Sequence, residues 1–140
     1  MYASRSSART DLDVVRSAFE TILAETARAH PNECCGILIG HGERIERALP
    51  AANIHADPLG HFEIEHQALI DAHRATRGGG SEVVGYYHSH PIGIAQPSPT
   101  DRAEATGDGS VWAIADKGGV TFWRDGEGGF AALSYRVVRG

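Results

Sequence analysis

The stretch Glu82-Val83-Val84-Gly85-Tyr86-Tyr87-His88-Ser89-His90-Pro91, continued by Ile92-Gly93-Ile94-Ala95-Gln96-Pro97 and then Ser98-Pro99-Thr100-Asp101, decides how the chain is read. Glu82 to His88 is a short run rich in β-branched and aromatic residues and predicts a strand. Ser89 to Pro97 carries Pro91, Gly93 and Pro97 and must be irregular. Ser98 then opens a short helix through Ala105: serine is a good N-cap, proline suits the first helical position, and an acid in the first turn favours the helix dipole. His88 and His90, two apart at a strand end, project to the same side, so their imidazoles can converge on one ion. The irregular loop lets the helix start meet the strand end, which makes Asp101 the natural third ligand. A tetrahedral catalytic zinc takes three protein ligands and keeps one position for water, whose pKa it lowers to about 7. A further carboxylate must then take the proton and pass it to the leaving amine.

Working outward, Asp11 to Ala29 predicts an amphipathic helix, with Val15, Phe19, Ile22, Leu23 and Ala27 at helical spacing, Thr10 or Asp11 as its cap and Pro31 just beyond its end. Cys34 to Ile39 reads as a buried strand closed by Gly40-His41-Gly42, and Arg44 to Leu49 as its hairpin partner. Ala51 to Gly60 reads as loop, Phe62 and Ile64 as a strand, and Gln67 to Arg77 as a second helix stopped by Gly78-Gly79-Gly80. Val111 to Ala115, Val120 to Trp123 and Phe130 to Val138 predict three more strands joined by short turns. The expectation is one mixed α/β domain over residues 11–140, its sheet largely antiparallel and flanked by helices, after a disordered tail over residues 1–10.

Composition narrows the function. The 140 residues suit one domain with a real core, and 18 acids against 13 bases leave a net charge of -5. Lys117 is the single lysine and no basic run exists, so nothing points to nucleic acid. No apolar run approaches the ~20 residues of a membrane span. Met1 to Thr10 is rich in Ser and Arg and lacks the apolar core of a secretory signal. The adjacent Cys34 and Cys35 cannot build a disulfide framework and read as buried thiols, one toward the core and one toward the site. A cytoplasmic setting follows from these readings.

The chain resembles the JAMM (MPN+) zinc metalloproteases. Their signature is a distant glutamate, then H-S/T-H-P, about six residues, then S-x-x-D; here it is matched by Glu33, His88-Ser89-His90-Pro91, Ile92 to Pro97 and Ser98-Pro99-Thr100-Asp101. Pro31-Asn32-Glu33-Cys34-Cys35-Gly36-Ile37-Leu38-Ile39-Gly40 looks like the P-x-E-x-C-G-x-L-x-G start of small bacterial members. The likeness runs from about Leu12 to Val138. It implies an MPN, cytidine-deaminase-like fold and one zinc per chain on His88, His90 and Asp101. It implies that Glu33 activates the zinc-bound water as general base, and that Ser98 bonds the oxyanion. Ser98 also reads as a plain N-cap, and both roles call on the same oxygen.

The resemblance further implies a partner: a ubiquitin-like sulfur-carrier protein ending in Gly-Gly, cleaved just after the diglycine. Ile92, Gly93 and Ile94 are the residues expected to line a slot for that tail. Alternatives within the family are a deubiquitinase-like isopeptidase, a cell-wall peptide hydrolase and a non-catalytic scaffold. A homodimer is left open. His61-Phe62-Glu63-Ile64-Glu65-His66 holds many ligand types but is not H-E-x-x-H; on a strand His66 faces away from the others, so a polar sheet face is expected there. His30, His41, His55 and His73 read as surface residues.

Overall fold

Along the chain come β1 (Leu12–Val15), α1 (Arg16–Ala29), β2 (Cys35–His41), β3 (Arg44–Ala51), α2 (His66–Thr76), β4 (Glu82–Ser89), α3 (Pro99–Glu104), β5 (Val111–Asp116), β6 (Gly119–Gly126), β7 (Gly129–Leu133) and β8 (Tyr135–Val138). These come from a computed structural model that describes residues 10–140. The expected tail therefore lies, apart from Thr10, outside the described residues. The strands form one sheet in the order β7-β6-β5-β4-β2-β3-β1-β8. Pairing is antiparallel at β2–β3, β2–β4, β5–β6 and β6–β7, and parallel at β1–β3, β1–β8 and β4–β5. The sheet is thus mixed and mostly antiparallel, as the short turns predicted. Among the described residues no helix is long and apolar enough to cross a membrane.

Three expected elements are corrected. The helix expected from Asp11 begins only at Arg16, because Leu12–Val15 is a strand inserted in parallel between β3 and β8. Leu12, Val14 and Val15 satisfy both a strand and a helix period, and burial of Val14 between two partners settles the choice. Asp11 is no cap: its carboxylate accepts the Ser134 N–H and O–H at 2.9 and 3.1 Å. The run from Phe130 to Val138 is two strands broken at that serine. Phe62 and Ile64 form no strand; a single bridge, Asn53 to Ile64, ties residues 52–65 together. There the chain turns into α2, whose first amides, at Gln67 and Ala68, are capped by the Glu65 carboxylate.

β7 and β8 stand at opposite ends of the sheet order, yet only Ser134 separates them. The sheet therefore curls back on itself around α1, which packs against β1, β3, β4, β5, β6 and β8. The Tyr135 hydroxyl of β8 closes the curl by donating to the Val120 carbonyl of β6 at 2.7 Å. The concave face holds the larger core, where Ala18 and Ile22 of α1 meet Leu38, Tyr87, Ala113 and Phe122. The other face carries a smaller core, Cys35, Ile37, Ile39, Ile64 and Ala72, covered by α2. The C-terminal end of β4 opens onto this second face, where a parallel crossover through α3 leads to β5. Ligands of open α/β sheets collect at such strand ends.

Gly85 lies on β4 opposite Val111 of β5, and a methyl group there would run into the Val111 carbonyl oxygen. Gly85→Ala should lower the unfolding free energy by about 1–3 kcal/mol or more. Gly78→Ala, where a methyl meets nothing within 4 Å, should leave it nearly unchanged. Urea midpoints for the two variants check this; equal midpoints would contradict the close β4–β5 approach.

Candidate metal centre and active site

β4 delivers two histidines to one point. His88 lies on the strand and His90 one step past its end, with the His90 N–H donating to the Ala115 carbonyl of β5 at 2.7 Å. Their Nε2 atoms stand 3.2 Å apart. Asp101, in the first turn of α3, meets both: its Oδ1 is 3.0 Å from His88 Nε2 and its Oδ2 3.1 Å from His90 Nε2. All three residues are buried. Among the described residues this is the one group of three or more His, Cys, Asp or Glu whose ligand atoms converge closely enough for a metal ion.

Each side chain is held from behind. Phe62 stacks on the His88 ring at 4.3 Å and Trp112 meets it edge-on at 5.8 Å. His90 Nδ1 lies 2.7 Å from the Ile94 carbonyl, an acceptor, which assigns the proton to Nδ1 and the lone pair to Nε2. The Ile94 segment is itself pinned at Ala95, whose N–H donates to Asp116 at 2.9 Å and whose carbonyl accepts from the Thr121 hydroxyl at 2.6 Å. Asp101 Oδ2 accepts the Ser98 N–H while Ser98 Oγ accepts the Asp101 N–H, both at 3.0 Å, a reciprocal capping box. The helix-start signal in the sequence is therefore also what aims the carboxylate.

The donor set fits a divalent metal. Ligand atoms around a tetrahedral zinc with bonds of about 2.0–2.1 Å stand roughly 3.3–3.4 Å apart, close to the 3.0–3.2 Å spacings here. With His90 Nε2 presenting its lone pair, the three groups need a proton or a cation between them. Burial alone would raise the Asp101 carboxyl, but the hydrogen bond from His88 and, once the His90 ring carries a second proton, the one from His90 Nε2 outweigh it and hold the carboxyl well below the usual range. Burial pushes His88 below its ordinary value, toward the neutral ligating form.

Glu33 reaches the site from the segment just before β2. Cys35 pairs with His88, and beyond the strand the Cys34 N–H donates to Ser89 Oγ at 2.9 Å while the Ser89 N–H donates to the Cys34 carbonyl at 3.1 Å. Extending that antiparallel register brings Glu33 level with His90. Glu33 is buried and, with Ser98, Gly60 and Thr100, lines two adjoining cavities of about 550 and 640 Å³. Burial pushes its carboxyl up to about 7, with Asp101 and Asp57 adding to the rise and His90 opposing it. Ile92, Gly93 and Ile94 border the second cavity, with Ile92 85% and Ile94 62% exposed. Gly93 has φ +115° with open space around it, so the turn and not crowding requires glycine.

Several readings change. Cys34 packs in the larger core and Cys35 in the smaller one, on the His88 face. Cys35 Sγ points to the Ala51 and Ala52 carbonyls at 3.8 and 3.6 Å, and burial raises both thiols, Cys35 to about 12. Both are inert packing groups. His66 does not face away from Glu63: it opens α2 and its Nε2 lies 2.9 Å from Glu63 Oε2. His55 stacks on His61 at 4.8 Å and lines the first cavity, so it belongs to the cleft and not to a plain surface. Ser98 need not choose between its two roles, because a hydroxyl that accepts one bond still has its proton to donate. The supporting Phe62, Trp112 and Asp116 carried no sequence signal as site residues, and Ile94, expected only as a slot residue, also sets the His90 ring through its carbonyl; the fold alone brings these groups behind the ligands.

The chain belongs to the family of prokaryotic homologs of the JAB domain, whose model matches residues 15–126. A desampylase of Haloferax volcanii is 34% identical over 91 residues, 64% of this chain and 66% of its own length. A probable TtuB-protein conjugate cleaving protease of Thermus thermophilus is 38% identical over 94 residues, 67% of this chain and 63% of its own length. The chain thus spans slightly under two thirds of these curated relatives. A solution structure from Desulfitobacterium hafniense superposes with a TM-score of 0.80 at 25% identity, covering 92% of this chain and 94% of that one. A JAB1/MPN domain protein of Archaeoglobus fulgidus shares the fold with a TM-score of 0.61 at 20% identity, covering 91% of this chain and 100% of that one.

In the metal-free protein, folded Glu33 keeps a proton up to about pH 7 that the unfolded chain releases near pH 4.5. A raised carboxyl makes stability fall as pH rises through that window. Metal-free wild type should lose on the order of 2–3 kcal/mol relative to Glu33→Gln between those limits. Denaturant titrations of both proteins at pH 4.5 and pH 7 test this; parallel pH profiles would show an ordinary, solvated carboxyl.

Proposed function

We propose that this chain is a zinc-dependent hydrolase that cuts the amide bond after the C-terminal Gly-Gly of a ubiquitin-like sulfur-carrier protein. The observation that carries the reading is the convergence of His88, His90 and Asp101 at 3.0–3.2 Å beside the buried, protonatable Glu33. The desampylase and conjugate-cleaving names of the two relatives support the substrate class.

His88, His90 and Asp101 would hold the metal, which when bound supplies Lewis acidity and an acidified water. Glu33 accepts the proton of the attacking water and delivers it to the leaving nitrogen as the C–N bond breaks, so a carboxylate and an amine are released and Glu33 is regenerated. Burial makes the Glu33 carboxyl readier than a solvated one to hold that proton, and the bound cation would oppose the rise and favour its release. The Ser98 O–H, free beyond its cap, donates to the carbonyl oxygen as charge develops. The diglycine tail lies along the cavity bordered by Ile92, Gly93 and Ile94, where small residues fit and an extended chain is favoured. A reducing, cytoplasmic setting is part of the same proposal and is supported by the two free, buried thiols.

The cleft favours a lysine conjugate over a single C-terminal amino acid as the leaving group. Among the described residues neither cavity is lined by lysine or arginine, so the basic groups a free α-carboxylate could meet there are histidines. The first cavity instead offers Phe62, Tyr86 and Trp112 with Glu63 and Glu104, surfaces suited to an aliphatic stem bearing positive charge.

His88→Ala should lose zinc, whereas Glu33→Gln should keep one zinc per chain yet slow turnover by about 10²- to 10⁴-fold. Metal analysis and mass spectrometry of a Gly-Gly-ending carrier check both; normal cleavage by Glu33→Gln would refute the assignment of the base. The same carrier joined to a lysine side chain should be cleaved faster than one extended by a single amino acid. The reverse order would argue for an amino-acid-releasing peptidase.

A further inference from the structure

Glu33 sits in a segment without regular structure, between the end of α1 at Ala29 and the start of β2 at Cys35. Its backbone is held by residues 53–58 on both sides. The Glu33 N–H donates to the Pro58 carbonyl at 2.8 Å, and the Glu33 carbonyl accepts from Asn53 Nδ2 at 3.0 Å. Asn53 Nδ2 also donates to the His61 carbonyl at 2.9 Å, while Asn53 Oδ1 accepts the His55 and Glu63 N–H groups at 3.1 and 3.0 Å. The two donors of the amide and both lone pairs of its oxygen are therefore engaged. Both Nδ2 partners are carbonyls and both Oδ1 partners are N–H groups, so the orientation of the amide is unambiguous. Aspartate could keep only half of this pattern, and a longer glutamine would displace it.

We propose that Asn53 is a positioning residue for the hydrolysis: it clamps the backbone of Glu33 against the loop that walls the cleft and so holds the carboxyl at the reacting bond. The inference rests on the reading of Glu33 as the base. Displacing such a group by about 1 Å costs on the order of 10²-fold in rate. Asn53 hydrogen-bonds to none of His88, His90 and Asp101, and its one link toward them runs through the Phe62 segment, whose partner Trp112 still holds His88; its loss therefore acts first on the base.

Asn53→Asp keeps the size and the two acceptor bonds and removes both donors. Assayed on the lysine-linked carrier conjugate, it should lower kcat by about 10- to 100-fold with KM changed less than about 3-fold and zinc retained. Unchanged kcat, a loss confined to KM, or loss of zinc would each overturn the proposal, the second by showing only a wall role and the third by showing action on the ligands. Amide hydrogen exchange gives a readout independent of turnover. In Asn53→Ala the Glu33 N–H should exchange at least about tenfold faster while Leu38 and Tyr87 in the core stay protected. Unchanged Glu33 protection would refute the clamp. A wild type that cleaves no conjugate would count against the hydrolase reading alone, and the exchange experiment would still decide the role of Asn53.

Discussion

The site depends on the register between β2 and β4. Cys35 opposite His88, with Ser89 bonded through its backbone and its hydroxyl to Cys34, sets the end of one strand against the approach to the other. A slip of one residue would turn His88 and His90 to the opposite face and carry Glu33 away from them. The serine between the histidines is thus structural: it is fully buried and faces the β2 side, while its neighbours face the cleft. The Gly85 contact with β5 reinforces the same register from the other side by letting the strands close without a side chain between them.

Around that pairing, each polar group of the centre is oriented by a second group that is itself anchored. The His90 ring is set by the Ile94 carbonyl, and that loop is fixed through Ala95 to Asp116 and Thr121. Asp101 is set by the Ser98 cap, and the His88 ring by Phe62 and Trp112. Burial pushes both carboxyls up, and hydrogen bonding then separates their protonation tendencies. Asp101, hydrogen-bonded by two imidazoles, is kept ionised, whereas Glu33, buried with little to compensate, is pushed up to about 7. Two carboxyl groups separated in this way can serve as a ligand and as a proton carrier within one cleft.

The legible parts of the protein were those encoded locally. The His88–His90 alternation and the Ser98-to-Asp101 helix entrance follow from strand and helix periods, and the structure brings those three ligand candidates together as expected. Glu33 stood out only through its family signature, because an acid in a loop has no local mark of burial. Asn53 and Phe62 carried no mark either, since what each touches depends on where residues 52–65 fold back. β1 was hidden because Leu12–Val15 suits both periods and its strand partners lie far away in sequence.

By itself, the sequence determined the local elements that present ligands: a strand ending in two same-facing histidines, and a capped helix with an acid in its first turn. Those depend on backbone periodicity and on hydrogen bonds between residues a few positions apart. Tertiary structure alone decided which carboxyl is buried, which amide clamps it, and that the chain from β7 into β8 closes the sheet around α1. Each of these arises from contacts between distant segments, such as Asn53 with Glu33 and Ser134 with Asp11, whose partners no local pattern specifies.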